Sequence, residues 1–250
     1  MPSQQKKVIF CTAGILSFAC SFGVIMALGT QLWVKAKILC KTGAMLVNAS
    51  GQELEKFTGE IQYGLFHGEG VRQCGLGARP FRFSSRWLKK EFSIGQDPGE
   101  TAIFPDLVKT IPVSIHVNII LFSIILIVLT MAGTAFFMYN AFGKPYETLL
   151  GPLGLYLWSF ISCSCGCLVM ILFASEVKLH HLSEKIANYK EGTFMYKIHS
   201  EKYATSFWVI FMCFFMHILN GLLIRLAGFQ FPFTKSKDLE TTNTAADLMY

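Results

Sequence analysis

Four blocks of the chain are apolar almost without interruption, and the polar residues are gathered between them. The blocks run from Val8 to Leu28, from Val113 to Tyr139, from Pro152 to Ser175 and from Thr205 to Gly228. An α-helix rises about 1.5 Å per residue, so roughly 20 residues cross a hydrocarbon core of about 30 Å. The pattern predicts four transmembrane helices, at 8–28, 113–139, 152–175 and 205–228. The polar intervals are an N-terminus (1–7), a large loop (29–112), a short turn (140–151), a second loop (176–204) and a tail (229–250). The first block has the look of a signal peptide. Its apolar stretch exceeds the usual run of roughly 7 to 15 residues, and three further spans follow, so it reads as an uncleaved anchor.

Inside the large loop, long apolar periodicity gives way to Gly, Phe and short alternating runs. Lys37–Val47 and Gln62–Phe66 read as strands, with turns at Asn48-Ala49-Ser50-Gly51 and His67-Gly68-Glu69-Gly70. The predicted fold class is an all-α membrane protein: a four-helix transmembrane bundle with a small, β-containing loop domain. Residues 84–103, with Ser-Ser-Arg-Trp-Leu-Lys-Lys and then Gln-Asp-Pro-Gly-Glu, have the polar, turn-rich character of an insertion at a loop tip. In the second loop, Leu179, Leu182, Ile186 and Tyr189 fall at helical spacing, so the third helix is expected to extend past the membrane or to lie on it. Trp33, just past the first block, is expected at the lipid–water interface, where indole rings prefer to sit.

Two helix faces carry packing signals. Ala19, Gly23 and Ala27 repeat every fourth residue and form a small-residue stripe that lets a neighbouring helix approach closely. On the fourth span, Cys213, His217, Asn220 and Gly221 fall within about 100° of one another at about 100° per residue, a polar seam expected to face the bundle. The run Cys163-Ser164-Cys165-Gly166-Cys167 reads as small, polarisable packing, because alternating cysteines on one helix splay apart. His180 with Glu184 reads as a solvated pair rather than a zinc site.

The large loop states a side of the membrane. Asn48-Ala49-Ser50 is an N-glycosylation acceptor, the one such site in the chain, and only a lumenal enzyme modifies it. Cys40 and Cys74 are the only cysteines in either large loop; oxidised, they have only each other, and the other reading is two buried thiols. Both features place this loop outside the cell. Charge argues the other way, since Lys35, Lys37, Lys41, Lys178, Lys185, Lys190, Lys197 and Lys202 fall outside while Lys6, Lys7, Lys144, Arg225, Lys235 and Lys237 fall inside. Orientation here follows the acceptor site and the cysteines.

Composition narrows the classes. Charged residues make up 15% and apolar residues 52%, against roughly 25% charged in soluble domains. The net charge of +6 is spread over the loops without a basic stripe, which argues against nucleic-acid binding. No Ser-His-Asp constellation, phosphate-binding loop or metal-ligand spacing is present, so neither an enzyme nor a cofactor is expected. The tail ends Asp-Leu-Met-Tyr, with Leu248 two residues before Tyr250 and its carboxylate, a spacing that PDZ domains bind by strand addition. Expected partners are membrane lipids, membrane and scaffold proteins, and a second copy of the chain.

Several strings are specific enough to carry a resemblance. They are Met-Pro-Ser-Gln-Gln-Lys-Lys at the start, Gln-Tyr-Gly-Leu-Phe-His-Gly-Glu-Gly-Val-Arg-Gln-Cys from Gln62 to Cys74, Ala-Phe-Gly-Lys-Pro from Ala141 to Pro145, and the ending Ala-Ala-Asp-Leu-Met-Tyr. Nearly the whole chain resembles the clarin family, departing at 84–103, where the family's shorter form leads from Arg-Pro-Phe-Arg-Phe almost directly into Phe-Pro-Asp. The resemblance implies a four-span glycoprotein distantly similar to claudins and calcium-channel gamma subunits; the claudin signature is partly met by Gly64-Leu65-Phe66 and Cys74. It also implies a plasma-membrane organiser of sensory cells, needed for the actin-based hair bundle (stereocilia), the ribbon synapse and hearing, with a photoreceptor role and a link to Usher-type deafness and blindness. An auxiliary subunit of a channel complex is the alternative.

Overall fold

The computed structural model describes residues 3–84, 100–102, 113–143, 151–189 and 191–227. Leu248 and Tyr250, and all of 84–103 except Ser84 and a three-residue strand, lie outside the described residues. Four long helices dominate: α1 (Ser3–Gly29), α3 (Val113–Phe142), α4 (Pro152–Lys178) and α6 (Thr205–Leu226). Each is long and apolar enough to cross a membrane. Lipid offers no hydrogen-bond partner to the backbone, so an apolar segment of this length satisfies its amides internally as a helix. By contacts the chain divides into two compact units.

The first unit, Met1–Gly23, Ile124–Cys167 and Met212–Tyr250, is a four-helix bundle. All four helices meet at Phe10 and Ala13, Phe137 and Ala141, Leu155 and Tyr156, and Ile224 and Ala227. Between helices in lipid the hydrophobic effect is weak, and close packing with a few hydrogen bonds takes its place. Along α1 and α3 that packing is tight: a Cβ at Gly14 would lie 3.1 Å from Met138 Sδ, and one at Gly133 3.4 Å from Ser17 Oγ. Ser17 Oγ donates to the Thr130 carbonyl at 3.0 Å and Ser21 Oγ contacts Met131 Sδ at 3.2 Å. The Phe136 and Trp158 rings pack at 5.2 Å.

This corrects the expected stripe. The buried face of α1 here is Ala13, Gly14, Ser17, Cys20 and Ser21, whereas Ala19 is exposed and Gly23 half-buried. Ala27 is buried, and it belongs to the second unit. On α6, Cys213, His217 and Asn220 are buried and Gly221 is half-buried. Cys213 Sγ points at the Cys20 carbonyl at 3.7 Å, while among the described residues His217 Nε2 and both amide atoms of Asn220 have no hydrogen-bond partner. A buried polar group without a partner costs about 1–3 kcal/mol, so Asn220→Leu is expected to leave thermal stability unchanged or raised. A marked fall in the unfolding temperature of the purified variant would show that the amide is bonded.

The second unit, Val24–Ser123 and Leu168–Phe211, is built around one six-stranded sheet. Its strands are β1 (Val34–Cys40), β2 (Thr58–Tyr63), β3 (His67–Gln73), β4 (Ala78–Ser84), β5 (Glu100–Ala102) and β6 (Tyr196–Tyr203), in the order β5-β4-β3-β2-β1-β6. All neighbours are antiparallel except β4 and β5. A short helix α2 (Lys41–Leu46) and a 3-10 turn (Gly51–Phe57) join β1 to β2, and α5 (Leu182–Ala187) precedes β6.

Three local expectations change. The strand expected to Val47 stops at Cys40; Gly43 and Ala44 are adjacent and both buried, which a helical turn allows and an alternating strand does not. The turn expected at His67-Gly68-Glu69-Gly70 is the start of β3. A Cβ at Gly68 would lie 2.4 Å from the Phe83 ring and 2.6 Å from Tyr63 Cβ, and one at Gly70 2.8 Å from both Ile61 and Phe81. These glycines admit large neighbours on flanking strands. The second loop lacks a continuous helix: α4 ends at Lys178, His181 adopts a left-handed φ of 49°, and α5 starts at Leu182. It then supplies β6, which pairs with β1.

Candidate interaction surface

The inner face of the sheet is held by polar anchors between segments remote in sequence. Trp33, just before β1, is buried rather than exposed to an interface. Its indole N–H donates to the Ala27 carbonyl at 2.7 Å, its amide to Tyr63 O at 3.1 Å, its carbonyl accepts from Ala204 N at 2.8 Å, and its ring packs on Phe173 at 4.7 Å. One residue thereby ties the end of α1 to β2, α4 and the start of α6.

A second anchor is a relay. Ser183 Oγ donates to Glu201 Oε1, which uses the only hydroxyl proton of Ser183, so the Tyr63 phenol is the donor in the 2.7 Å bond to Ser183. Lys178 Nζ closes on the other Glu201 oxygen at 2.7 Å. Burial pushes the Tyr63 phenol well above its usual range, which keeps it a neutral donor.

The third anchor is Arg72, buried on β3. Its guanidinium donates to the carbonyls of Ala187 (2.9 Å), Ile186 (3.2 Å) and Tyr189 (2.9 Å), pairs with Glu191 at 3.2 Å, and lies 4.0 Å over the Phe81 ring. Burial lowers its pKa and Glu191 opposes the shift. The orphan carbonyls at the end of α5 thus receive a charged donor from another loop. A lysine keeps the charge without the planar fork, so Arg72→Lys is expected to weaken α5 by about 2 kcal/mol, read as faster amide exchange in Leu182–Ala187. Unchanged exchange would show that the fork is dispensable.

The fourth anchor is a buried pair: His116 Nδ1 lies 2.8 Å from Glu176 Oε1, and its Nε2 lies 3.0 Å from the Leu65 carbonyl. It locks α3 and α4 to the β2–β3 connection. Finally, the structure joins Cys40 to Cys74 in a disulfide with Cα atoms 5.4 Å apart. Gly43 sits against it, since a Cβ there would lie 2.6 Å from Cys74 Sγ. Asn48 is exposed on the turn after α2 with φ 48°, a left-handed conformation that Asn tolerates, and its side chain is open to modification. Glycan at this acceptor is expected to retard the protein on a gel, and Asn48→Gln to abolish the retardation. Identical mobility of the two mature proteins would refute it.

With the inner face occupied, the outer face is what the sheet presents. Register places Arg82, Glu69, Gln62, Lys35 and Lys202 on one rung across five strands, and Pro80, Val71, Glu60, Lys37 and Ser200 on the next. Lys37 meets Glu60 and Arg82 meets Glu69, each at 3.7 Å, and Gln31 donates to Glu69 at 3.1 Å. An open groove of about 890 Å³ runs over this face, lined among others by Lys35, Gln62, Phe81, Arg82, Lys202 and Trp208. Among the described residues no three His, Cys, Asp or Glu side chains gather to hold a metal, and this includes His180, Glu184 and the Cys163–Cys167 run. The arrangement is suited to recognition: a rigid face with ordered charge.

Comparison with known proteins names the architecture. The family model described as Clarin-2-like matches residues 5–224. The chain belongs to the clarin family. It is 78% identical to human Clarin-1 and 74% identical to mouse Clarin-1, in each case over 250 residues that cover both chains fully. Human Clarin-3 is more distant, at 27% over 225 residues, covering 90% of this clarin and 88% of that protein.

Of the anchors of this clarin's sheet, sequence reasoning singled out Trp33, for the lipid–water interface, and the Cys40–Cys74 pair, but not Tyr63, Arg72 or the His116–Glu176 pair. Arg72 and Glu176 carry no local signal: Arg72 lies in a polar run with Glu69 and Gln73, and Glu176 stands two residues before Lys178. Their partners lie far off in the chain, Ala187 and Glu191 in the second loop for Arg72 and His116 on α3 for Glu176.

Proposed function

We propose that this clarin is a plasma-membrane tetraspan organiser of sensory hair cells and photoreceptors, serving hair-bundle integrity, ribbon-synapse organisation and hearing. The observation that carries this reading is the single sheet knitted from two loops by the β1–β6 pairing, the disulfide and the buried anchors. Such a face keeps its shape while partners bind, so little ordering entropy is lost on association. In this reading the sheet faces outward, Asn48 is glycosylated on passage through the ER and Golgi, and the outer rungs meet membrane or adhesion proteins. The tail recruits a PDZ scaffold through Leu248 and Tyr250, and copies of the chain associate in the membrane. Family membership supports the assignment to this class.

The test returns a variant with a reversed charge pattern, E60K/E69K/R82E, to hair cells lacking the protein. The variant is expected to reach the surface and fail to restore the bundle. Restoration equal to wild type would overturn the role of the sheet face. A change in calcium-channel current on co-expression would instead favour an auxiliary-subunit function.

A further inference from the structure

We propose that Lys35 and Lys202, together with Trp208, bind the anionic headgroup of a lipid in the leaflet adjoining the sheet. The inference starts from an imbalance on the outer face. Lys35 and Lys202 are directly opposed across β1 and β6, and both are exposed. Like charges in that position repel and destabilise a sheet. Neighbouring charges on the same two rungs are matched, Lys37 by Glu60 and Arg82 by Glu69. Lys35 and Lys202 form no ion pair with a carboxylate among the described residues.

Their place in the chain sets the height of this unmatched charge. β6 ends at Tyr203 and α6 begins at Thr205, so Lys202 is three residues from a membrane span, about 10 Å of extended chain. Lys35 follows the end of α1 at Gly29 by six residues, and Ser206 N bonds the Leu32 carbonyl at 2.8 Å, which brings the two approaches to the membrane together. Trp208, in the first turn of α6, is 52% exposed and lines the same groove as both lysines. An indole at the head of a span prefers the headgroup layer. The groove therefore joins two cations to a ring at lipid level.

A free anion would gain from the lysines alone. A lipid gains from both, its phosphate meeting the ammonium groups while its glycerol and upper chain lie on the indole. The same use accounts for lysines on the sheet side of the chain, where the usual bias of loop charge does not call for them.

The full-length protein, reconstituted in phosphatidylcholine vesicles, can be probed with brominated phosphatidylglycerol or brominated phosphatidylcholine at equal mole fraction, reading tryptophan quenching. Each lysine near a charged surface contributes about five-fold, so a preference for phosphatidylglycerol of roughly 30-fold is expected, lost in K35Q/K202Q. K41Q/K197Q, which alters lysines elsewhere on the same unit, should retain it, and W208F should lose the excess quenching. The proposal fails if K35Q/K202Q retains the preference, if W208F is quenched as strongly as wild type, or if inorganic phosphate displaces the lipid as readily as it would a soluble anion.

Discussion

Replacing His116 with Ala is expected to destabilise the sheet unit by about 3–5 kcal/mol, because it leaves a buried carboxylate without its partner. The Leu65 carbonyl can only accept, so His116 Nε2 carries a hydrogen. One further proton lies between Nδ1 and Glu176 Oε1, and the pair is neutral as a whole wherever that proton sits. Glu176 is fully buried, and its second oxygen has no hydrogen-bond partner among the described residues. Without the ring, the carboxylate must be charged in a poorly solvating site or take up a proton, and either is costly. The expected readouts are a large fall in unfolding temperature and retention before the cell surface.

The double variant H116L/E176M separates a pairing effect from a packing effect. Replacing both members of a buried pair by apolar groups of similar size is often close to neutral, so the double variant should be clearly more stable than His116→Ala alone. Equal loss in the two proteins would mean that His116 acts through shape and that the pair contributes nothing.

The disulfide carries the second large effect. Cys40 and Cys74 close a loop with a sequence separation of 34, for which the chain-entropy account gives about 4 kcal/mol. Cys40→Ser and Cys74→Ser should therefore each lower stability by a similar amount, and a reducing agent should bring the wild type to the same value. The double variant C40S/C74S should match either single one. If a single variant were much worse than the double, the damage would come from an unpaired thiol; if reduction left the wild type unchanged, the bond would be absent from the mature protein.

These two predictions sit at different distances from the sequence. The cysteine pairing could be proposed by elimination, because the large loops hold no other cysteine. The His116–Glu176 pair could not, since the two residues lie on different spans and neither has a local motif.

What the sequence determined by itself is the spans, the acceptor at Asn48 and the class of fold. The spans and the fold class follow from composition and length, because any apolar segment long enough to cross lipid must bond its own backbone, and the acceptor follows from the motif Asn48-Ala49-Ser50. Tertiary structure decided the faces and the pairings. In a membrane helix the lipid side and the core side are equally apolar, so hydropathy could not tell Ser17, which packs, from Ala19, which does not. Glycines at 68 and 70 look like a turn until Phe83, Tyr63, Ile61 and Phe81 are placed beside them. The strand Tyr196–Tyr203 exists because Val34–Cys40 offers it an edge, and Arg72 is tolerated inside because α5 turns its carbonyls toward it. In each case the deciding energy is a contact between residues far apart in the chain, and local periodicity carries no record of it.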